Sequence, residues 1–565
     1  MKKILNTFYK SKIFIAVISS FVALSCNEFL DVDTDTDSPT VAATTELLTN
    51  IQLGLSSTND FDLYSGNILI TYTHQFTFRE EQDQYGAKAD NINMNNEWDN
   101  TYLTLTDMET LFAQAEIDGD LVHAGVTKIM KAYLMSVTVD LWGDVPYSEA
   151  TQLEFGIVSP KFDDQEEIYA SILALIDAGK ANVLSGQGTP LGSEDLFYAG
   201  DTEKWVRFAN TLKFKLYNQL RSTALFNQSD LDALVSENNF FKSSADDFQF
   251  THSPTQSPLD ERNSLFLDCY GGTQVSYYQS PWFYEILKGM NPNIFTGYED
   301  PRIPYYFVNQ LKPGELPPDQ GNAETGDPNA DYWDASTGFF SIRFGSIGPD
   351  RDHAVQKSAS FPGIFPCGGF YDDGSGPTIT IASGTGVAPK RILTYDEFLY
   401  IQAELIHDGV ISGDASAKLK EAMTASFAKV DEVVLGTGTS QTVPVLSGTP
   451  EVTSFIDDII AEYDGASAEK QLEIIMTQKW VATFGDPMDQ YNDYRRTGYP
   501  VLANPLGASP EYQLNNDDGF PLDDGVTVQN NGFQQSFFWP QAELNTNENA
   551  PSQKDATSYT IFWAN

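Results

Sequence analysis

The stretch that decides the fold runs from Ile129 to Ala150 and reads IMKAYLMSVTVDLWGDVPYSEA. Apolar residues in its first half recur at steps of three and four, which is the period of one face of an α-helix. Trp142 and Gly143 end that helix, and Pro146 prevents its continuation because proline lacks the backbone donor that a helix needs. The stretch therefore predicts a buried helix that stops at the Trp142–Gly143 pair.

Asp140 and the Arg495-Arg496 pair are expected to have structural roles. Asp140 lies on the apolar face of this helix, where a buried carboxylate needs hydrogen-bonding partners. We interpret Arg495 and Arg496 as a brace for a buried acid. The alternatives are a catalytic role for Asp140 and a clamp on a ligand carboxylate for the two arginines.

The same helical period returns on both sides of this stretch. Trp205, Leu212 and Leu220 lie on one face of a helix that Asp201 and Thr202 are placed to cap. Further helical stretches are expected at residues 44–57, 97–116, 164–184, 228–238, 394–431 and 466–484. Adjacent helices joined by short connections imply antiparallel pairs, so the predicted fold class is all-α, or mainly α. The strict tetratricopeptide signature is absent, and periodicity alone does not establish that repeat.

The first 25 residues are typical of a cleavable export signal, because four lysines precede an apolar run. The run from Ile13 to Leu24 has 12 residues, whereas a membrane-spanning helix needs about 20. Cys26 directly follows Ala23-Leu24-Ser25, an order that resembles the lipobox of bacterial lipoproteins. A lipobox implies cleavage before Cys26 and acylation of that residue, and each buried methylene would contribute roughly 0.8 kcal/mol to membrane anchoring. An ordinary secreted protein is the alternative.

Charge excludes nucleic acid as a partner. The chain has 33 Lys and Arg residues against 79 Asp and Glu residues, a net charge of −46. Removal of residues 1–25, which hold four lysines and no acid, changes the net charge to −50. So acidic a protein is repelled by phosphate groups and by anionic membrane surfaces, which leaves the lipid as the expected membrane contact.

Composition divides the mature chain into four parts. Residues 26–40 form an acidic tether, whose alternating aspartates do not satisfy the EF-hand pattern. Residues 41–249 form an N-terminal helical scaffold, and residues 391–565 form a C-terminal scaffold with a polar tail that wraps the surface. Residues 250–390 lose the helical period but keep many aromatic residues, which predicts an ordered, loop-rich insertion.

The insertion is the predicted ligand face. Sugar rings present a flat face of C–H groups that a Trp or Tyr ring can cover, while Asn, Asp and Gln meet the hydroxyls. The predicted ligand-binding residues are Trp282, Tyr277, Tyr278, Tyr332, Trp333, Phe340 and Tyr371. The alternative is that these rings pack the insertion against the helices. Four tryptophans in helical stretches are assigned to the core: Trp98, Trp142, Trp205 and Trp480.

No catalytic motif with specific spacing occurs in the sequence. It contains no G-x-S-x-G elbow, phosphate loop or H-E-x-x-H, and its five histidines lack metal-ligand spacing. We therefore predict no catalytic residue, no metal centre and no cofactor. A structural calcium ion at Asp372-Asp373-Gly374 or Asp517-Asp518-Gly519 is the alternative to a solvated turn. Cys269 and Cys367 either form a disulfide or stay free, and the sequence leaves both open.

Specific strings along the chain resemble the SusD/RagB family. WDNTYLTL at 98–105, IMKAY at 129–133 and DLWGDVPYSEA at 140–150 look most like its starch-binding-associated, SusD-like branch. Later blocks follow in the same order and cover nearly the whole mature chain: 195–210, 397–404, 478–480, 494–500 and 539–547. The insertion at 250–390 matches poorly.

This resemblance implies a fold, a partner and a location. The fold would be a superhelix of tetratricopeptide-like helix pairs, with an irregular face carrying the ligand site. The partner would be a SusC-like TonB-dependent outer-membrane transporter, on which the lipoprotein sits as a hinged lid. The location would be the cell surface, with the protein held by its lipid on the outer membrane.

We therefore expect a glycan-binding lipoprotein and not an enzyme. A peptide-capturing lid of the same architecture is one alternative, since an acidic surface could favour basic peptides. A surface glycosidase is the other, because it needs only two carboxylates about 5–10 Å apart. Some pair among 79 acids will always meet that distance, so the acids alone do not favour an enzyme.

Overall fold

The computed structural model describes residues 42–78, 85–272, 277–317, 331–342, 344, 358–503 and 531–564. The predicted signal peptide, Cys26 and the acidic tether lie outside these residues, as does the Asp517-Asp518-Gly519 turn. Helices dominate the described part of the chain, and the mainly α fold class is confirmed.

Seventeen α-helices lie in the described residues. In chain order they are α1 Thr44–Ser57, α2 Gly66–Tyr72, α3 Ile92–Asp118, α4 Leu121–Trp142, α5 Gln165–Ser185, α6 Thr202–Leu220, α7 Gln228–Glu237, α8 Ser264–Gly271, α9 Pro281–Leu287, α10 Ile303–Tyr306, α11 Ile364–Cys367, α12 Tyr395–His407, α13 Ala415–Gly436, α14 Pro450–Gly465, α15 Ala468–Ala482, α16 Pro487–Thr497 and α17 Gln541–Thr546.

Ten short strands form five antiparallel pairs in the same residues. The strands are β1 Phe76–Phe78, β2 Val145–Pro146, β3 Phe162–Asp163, β4 Phe248–Phe250, β5 Tyr277–Gln279, β6 Phe307–Val308, β7 Asp331–Asp334, β8 Phe339–Ile342, β9 Phe361–Pro362 and β10 Lys390–Leu393. The pairs are β1 with β5, β2 with β3, β4 with β10, β6 with β9, and β7 with β8.

Helix α4 is the buried helix that the opening stretch predicts. It begins after Asp120, whose side chain accepts a hydrogen bond from the backbone N–H of His123 at 3.3 Å. It ends at Trp142, and Gly143 follows with φ +74°. A Cβ at Gly143 would lie 2.5 Å from the ring of Tyr559, so both the backbone conformation and the close approach require glycine.

Helices that are near neighbours in the chain pack against each other, as in tetratricopeptide-like folds. In the N-terminal half α1 packs on α3, α4 on α5, and α6 on α7. In the C-terminal half α12 packs on α13, and α14 on α15. Among the described helices α5 alone is long and apolar enough to cross a membrane by composition. It packs against α4 in this fold, and its buried residues include Ile168, Tyr169 and Ile172.

The C-terminal residues 531–564 enter the core of the N-terminal helices. Phe537, Trp539 and Trp563 are buried in that cluster together with Trp142. The indole N–H of Trp142 donates to the carbonyl of Phe538 at 3.0 Å. The sequence predicts a tail that wraps the surface, whereas this segment closes over the end of α4 because its aromatic residues need burial.

The loop-rich insertion contributes a second core. Its short helices and strand pairs pack with α12, α13, α14 and α15, and the cluster contains many of its aromatic rings. Tyr284 and Phe339, for example, stack with ring centroids 3.8 Å apart. The insertion is therefore an integral part of the folded molecule, and its aromatic content is explained largely by burial.

Candidate ligand-binding site

A cleft opens between the insertion and α15. We call it the Trp282 cleft, and it is lined by Trp282, Ile286, Asn291, Asn293, Ile294, Lys470, Glu473, Thr477, Pro500 and Val501. Its volume is about 280 Å³. Small-molecule sites usually have volumes of about 300–1,000 Å³, so this cleft is near the lower limit of that range.

The local structure fixes one wall of the cleft. Helix α9 starts at Pro281, where the missing N–H of proline costs nothing and its φ suits a helix. Trp282 follows, and its indole N–H donates to the carbonyl of Val501 at 2.9 Å. Only 2% of Trp282 is exposed, so it forms a rigid part of the wall rather than an open platform.

Polar groups line the rest of the Trp282 cleft. On α15, Lys470 and Glu473 form an ion pair with an N···O distance of 2.8 Å. Thr477 lies one turn further along the same helix. Across the cleft, the side-chain oxygen of Asn291 accepts a hydrogen bond from the backbone N–H of Asn293 at 2.9 Å. None of these four residues could be predicted from the sequence, because polar residues in a helix and in a distant loop do not indicate that they share a cleft.

The structure does not bring the predicted aromatic residues together as an exposed arc. Five of the seven are buried: Tyr277, Tyr278, Trp282, Tyr332 and Phe340. The hydroxyl of Tyr332, for example, donates to the carboxylate of Glu285 at 2.9 Å. Their exposure was predicted wrongly because a core in this half of the molecule needs the same rings. Trp282 still lines a cleft, and a ligand role for the other four stays a prediction that the packing does not favour.

Trp333 and Tyr371 are the two predicted rings that remain partly exposed. Trp333 lies on β7, and its indole N–H has no hydrogen-bond acceptor among the described residues. Tyr371 packs edge-on against Tyr305, with ring centroids 5.0 Å apart, and its backbone is held by Gln441 through two hydrogen bonds. Both residues present part of a flat ring to solvent from an ordered support.

A second, wider groove lies beside α3. Its volume is about 510 Å³, and its lining includes Trp98, Tyr102, Leu103 and Glu543. Trp98 and Tyr102 lie one turn apart on α3, with ring centroids separated by 4.9 Å. Assignment of Trp98 to the core is confirmed by its exposure of 5%, but one edge of it reaches this groove.

The other three tryptophans assigned to the core, Trp142, Trp205 and Trp480, are also buried. Each has its indole N–H paired. Trp205 donates to the carboxylate of Asp195 at 2.9 Å, and Trp480 donates to the carbonyl of Thr73 at 3.0 Å. These residues therefore support the scaffold and leave the ligand site to other side chains.

Asp140 is a structural carboxylate, as its position on the apolar face predicts. One oxygen accepts hydrogen bonds from Tyr169 and from the indole of Trp563, the latter at 2.9 Å. The other accepts from Gln219 at 3.0 Å and from Asn492 at 2.7 Å. Burial raises the pKa of Asp140, although the nearby Arg495 opposes that shift. The four donors lie on α5, α6, α16 and the C-terminal segment, so this carboxylate connects four segments of the chain.

Arg496 braces a buried acid, which confirms the interpretation for one member of the arginine pair. Its guanidinium contacts both carboxylate oxygens of Glu404, one of them at 2.9 Å. Arg221 contacts the same carboxylate at 2.8 Å. Burial alone would raise the pKa of Glu404, but Arg496 and Arg221 lower it to about 2. Arg495 instead donates to the backbone carbonyls of Asp140 and Gln535.

The carboxylates of the Asp372-Asp373-Gly374 turn accept hydrogen bonds from backbone N–H groups of the protein. Asp372 accepts hydrogen bonds from the backbone N–H groups of Gly374 and Asn309, and Asp373 accepts from that of Ser375. A solvated turn stays the prediction here, and a structural calcium ion stays its alternative. Cys269 and Cys367 are buried free thiols in this structure.

The architecture defines a class of protein: a helical-repeat scaffold that carries a loop-rich half with ligand-sized clefts on its surface. The family model SusD-like_2, described as "Starch-binding associating with outer membrane", matches residues 36–521. The chain therefore belongs to the SusD-like family.

Solved structures share the fold at low sequence identity. A chitin-binding protein is 20% identical with a TM-score of 0.66, covering 92% of this chain and 100% of that chain. A chitin-binding SusD homologue from Flavobacterium johnsoniae is 19% identical with a TM-score of 0.61, covering 92% and 97%. A SusD homologue from Bacteroides fragilis is 22% identical with a TM-score of 0.61, covering 90% and 94%. No curated protein matches the chain.

Proposed function

We propose that this protein binds oligosaccharide or polysaccharide at the cell surface and delivers it to a SusC-like TonB-dependent transporter. The observation that carries the proposal is the match of a starch-binding, outer-membrane-associated family model to residues 36–521. The two chitin-binding relatives support the same class of ligand through a shared fold. The protein acts by binding and not by catalysis.

The proposed glycan contacts include the partly exposed rings of the insertion. Trp333 and Tyr371 each offer a flat surface that could cover the C–H face of a sugar. Both are held by ordered neighbours, so little conformational freedom would be lost when a ligand binds. This choice replaces the wider arc predicted from the sequence, most of which is buried.

The proposed anchor is an acylated Cys26. The apolar run ahead of it and the small residues beside it match the order that lipoprotein processing requires. Acyl chains would hold the strongly acidic protein on a membrane whose anionic surface would otherwise repel it.

Affinity gels test the ligand class. We expect the mature protein to migrate more slowly in nondenaturing gels that contain soluble starch or glycol chitin than in gels without polysaccharide. Equal migration in all gels would reject glycan binding. Titration with short basic peptides would then test the peptide-capturing alternative, and release of reducing ends from either polysaccharide would show a glycosidase.

Alanine substitutions test the proposed contacts. Trp333→Ala and Tyr371→Ala should each weaken binding about tenfold, which corresponds to about 1.4 kcal/mol. Phe155→Ala is the matched control, because Phe155 is also an exposed ring but lies on the N-terminal scaffold. If both variants bind like the control, the contacts lie elsewhere while glycan binding stands.

Cell fractionation tests the anchor. Cys26→Ser should abolish incorporation of labelled fatty acid and release the protein from the outer-membrane fraction. Unchanged labelling would show that Cys26 is not the acylated residue.

A further inference from the structure

We propose that the Trp282 cleft is a subsite for a single uncharged sugar ring, either free or at the end of a glycan chain. The inference rests on the proposed function, since it names where and how one ring would be held. It differs from the surface contacts proposed at Trp333 and Tyr371, because the cleft is concave and two of its polar residues, Thr477 and Asn291, are buried.

Two buried polar groups in the cleft have unused hydrogen-bonding capacity. Thr477 is 1% exposed, and its hydroxyl makes no hydrogen bond to any described residue. Asn291 is 2% exposed; its oxygen is engaged by Asn293, but its NH₂ group has no acceptor among the described residues. Buried polar groups in folded proteins are nearly always paired. Both groups line the cleft and neither is sealed off from it, so the hydroxyls of a polar ligand can pair with each of them.

The charges around the cleft favour an uncharged ligand. Lys470 and Glu473, the two charged residues of the lining, neutralise each other as a close pair. The same pair still offers donors on the ammonium group and an acceptor on the carboxylate. Hydroxyl groups, which both donate and accept, can use every one of these partners.

The apolar residues of the lining suit the C–H faces of a sugar ring. Ile286, Ile294 and Val501 line the cleft beside Trp282. A pyranose ring combines hydroxyls at its rim with C–H groups on its faces, so it would meet both kinds of wall at once. A linear peptide would leave its backbone N–H and C=O groups against these aliphatic side chains without partners.

The size of the cleft limits the ligand to about one ring. A volume of about 280 Å³ corresponds to about nine water molecules at their share of liquid volume. A longer stretch of polysaccharide needs an open groove, whereas this space can hold a free monosaccharide or the last residue of a chain.

The test is isothermal titration of the mature protein and the variant Thr477→Val. The probes are glucose, N-acetylglucosamine, maltoheptaose and chitohexaose. Valine keeps the shape of threonine and replaces only the hydroxyl, which has no partner among the residues that the structure describes. We expect the Kd of the bound probe to rise about three- to tenfold, the loss of one hydrogen bond, with no loss of thermal stability.

Thr453→Val is the matched control. Thr453 is exposed on α14 outside the cleft, and its hydroxyl bonds only the carbonyl of Thr449 in its own helix. A second variant, Asn291→Asp, keeps the oxygen that accepts from Asn293 and replaces the unused NH₂ donor with a negatively charged oxygen that can only accept. It should weaken binding of the same probe.

The outcomes separate this inference from the proposed function. If the parent binds a probe and Thr477→Val and Asn291→Asp bind it like the control, the Trp282 cleft is not the subsite and glycan binding stands. If the parent binds none of the four probes and no polysaccharide, the proposed function fails and the subsite with it. Binding of a monosaccharide that depends on Thr477 identifies a free ring as ligand; the same dependence for oligosaccharides alone identifies a chain end.

Discussion

Replacement of Asp140 by asparagine should destabilise the protein far more than the change in side-chain size implies. Each oxygen of Asp140 accepts two hydrogen bonds, from Tyr169 and Trp563 on one side and from Gln219 and Asn492 on the other. An amide NH₂ cannot accept, so one pair of buried donors loses its partner whichever way the asparagine turns. At about 1–3 kcal/mol for each unsatisfied donor, the free energy of unfolding should fall by about 2–6 kcal/mol.

The assay is urea-induced unfolding followed by tryptophan fluorescence, with Asp164→Asn as the control. Asp164 caps the start of α5 by accepting hydrogen bonds from the backbone N–H groups of Glu166 and Glu167. Asparagine caps a helix about as well as aspartate, so the control should stay within about 0.5 kcal/mol of the parent. A loss below about 1 kcal/mol for Asp140→Asn would refute the view that this carboxylate joins four segments of the fold.

Substitutions at Gly143 and Glu404 test two other contacts that stabilise the scaffold. Gly143→Ala should cost at least about 2 kcal/mol, because its φ of +74° and the nearby ring of Tyr559 both oppose a side chain. Gly119→Ala, where φ is +67° but nothing lies within 4 Å, should cost only about 1 kcal/mol, and equal losses would show that the ring contact is unimportant. Glu404→Gln should lower the free energy of unfolding by as much as about 3–5 kcal/mol at neutral pH, since it removes the buried carboxylate that Arg496 and Arg221 share and leaves Asp493 as the acid beside Arg496. The folded-state pKa of Glu404, about 2, lies below its ordinary value of 4.5, so its contribution is present above pH 4.5 and is lost as the pH falls towards 2. The difference between parent and variant should therefore shrink in unfolding experiments at pH ~3, and a constant difference would contradict this assignment.

The helical scaffold could be predicted from the sequence because its signals are local. The apolar period before Trp142, the glycine after it and the cap at Asp201 each specify a helix without reference to distant residues. Asp140 could be assigned a structural role on the same basis, since a carboxylate on an apolar face must find partners. Its partners could not be predicted, because Trp563 is 423 residues away along the chain.

The ligand site could not be predicted to the same depth. The sequence pattern around an aromatic residue in a loop is the same whether its ring stacks on a sugar or packs in a core. Tyr278 and Phe340 are core residues in the structure. Thr477 and Asn291 were missed for the opposite reason. Their side chains are polar and 186 positions apart, and only the folded chain shows that both line one cleft.

The closure of residues 531–564 over the end of α4 has a consequence for the order of folding. The indole N–H of Trp142 finds its acceptor in residues 531–564, and so does the carboxylate of Asp140 one of its four donors. Contacts between such distant residues form late, because a long loop must be closed first. The N-terminal core therefore stays incomplete until residues 531–564 are available to close over the end of α4.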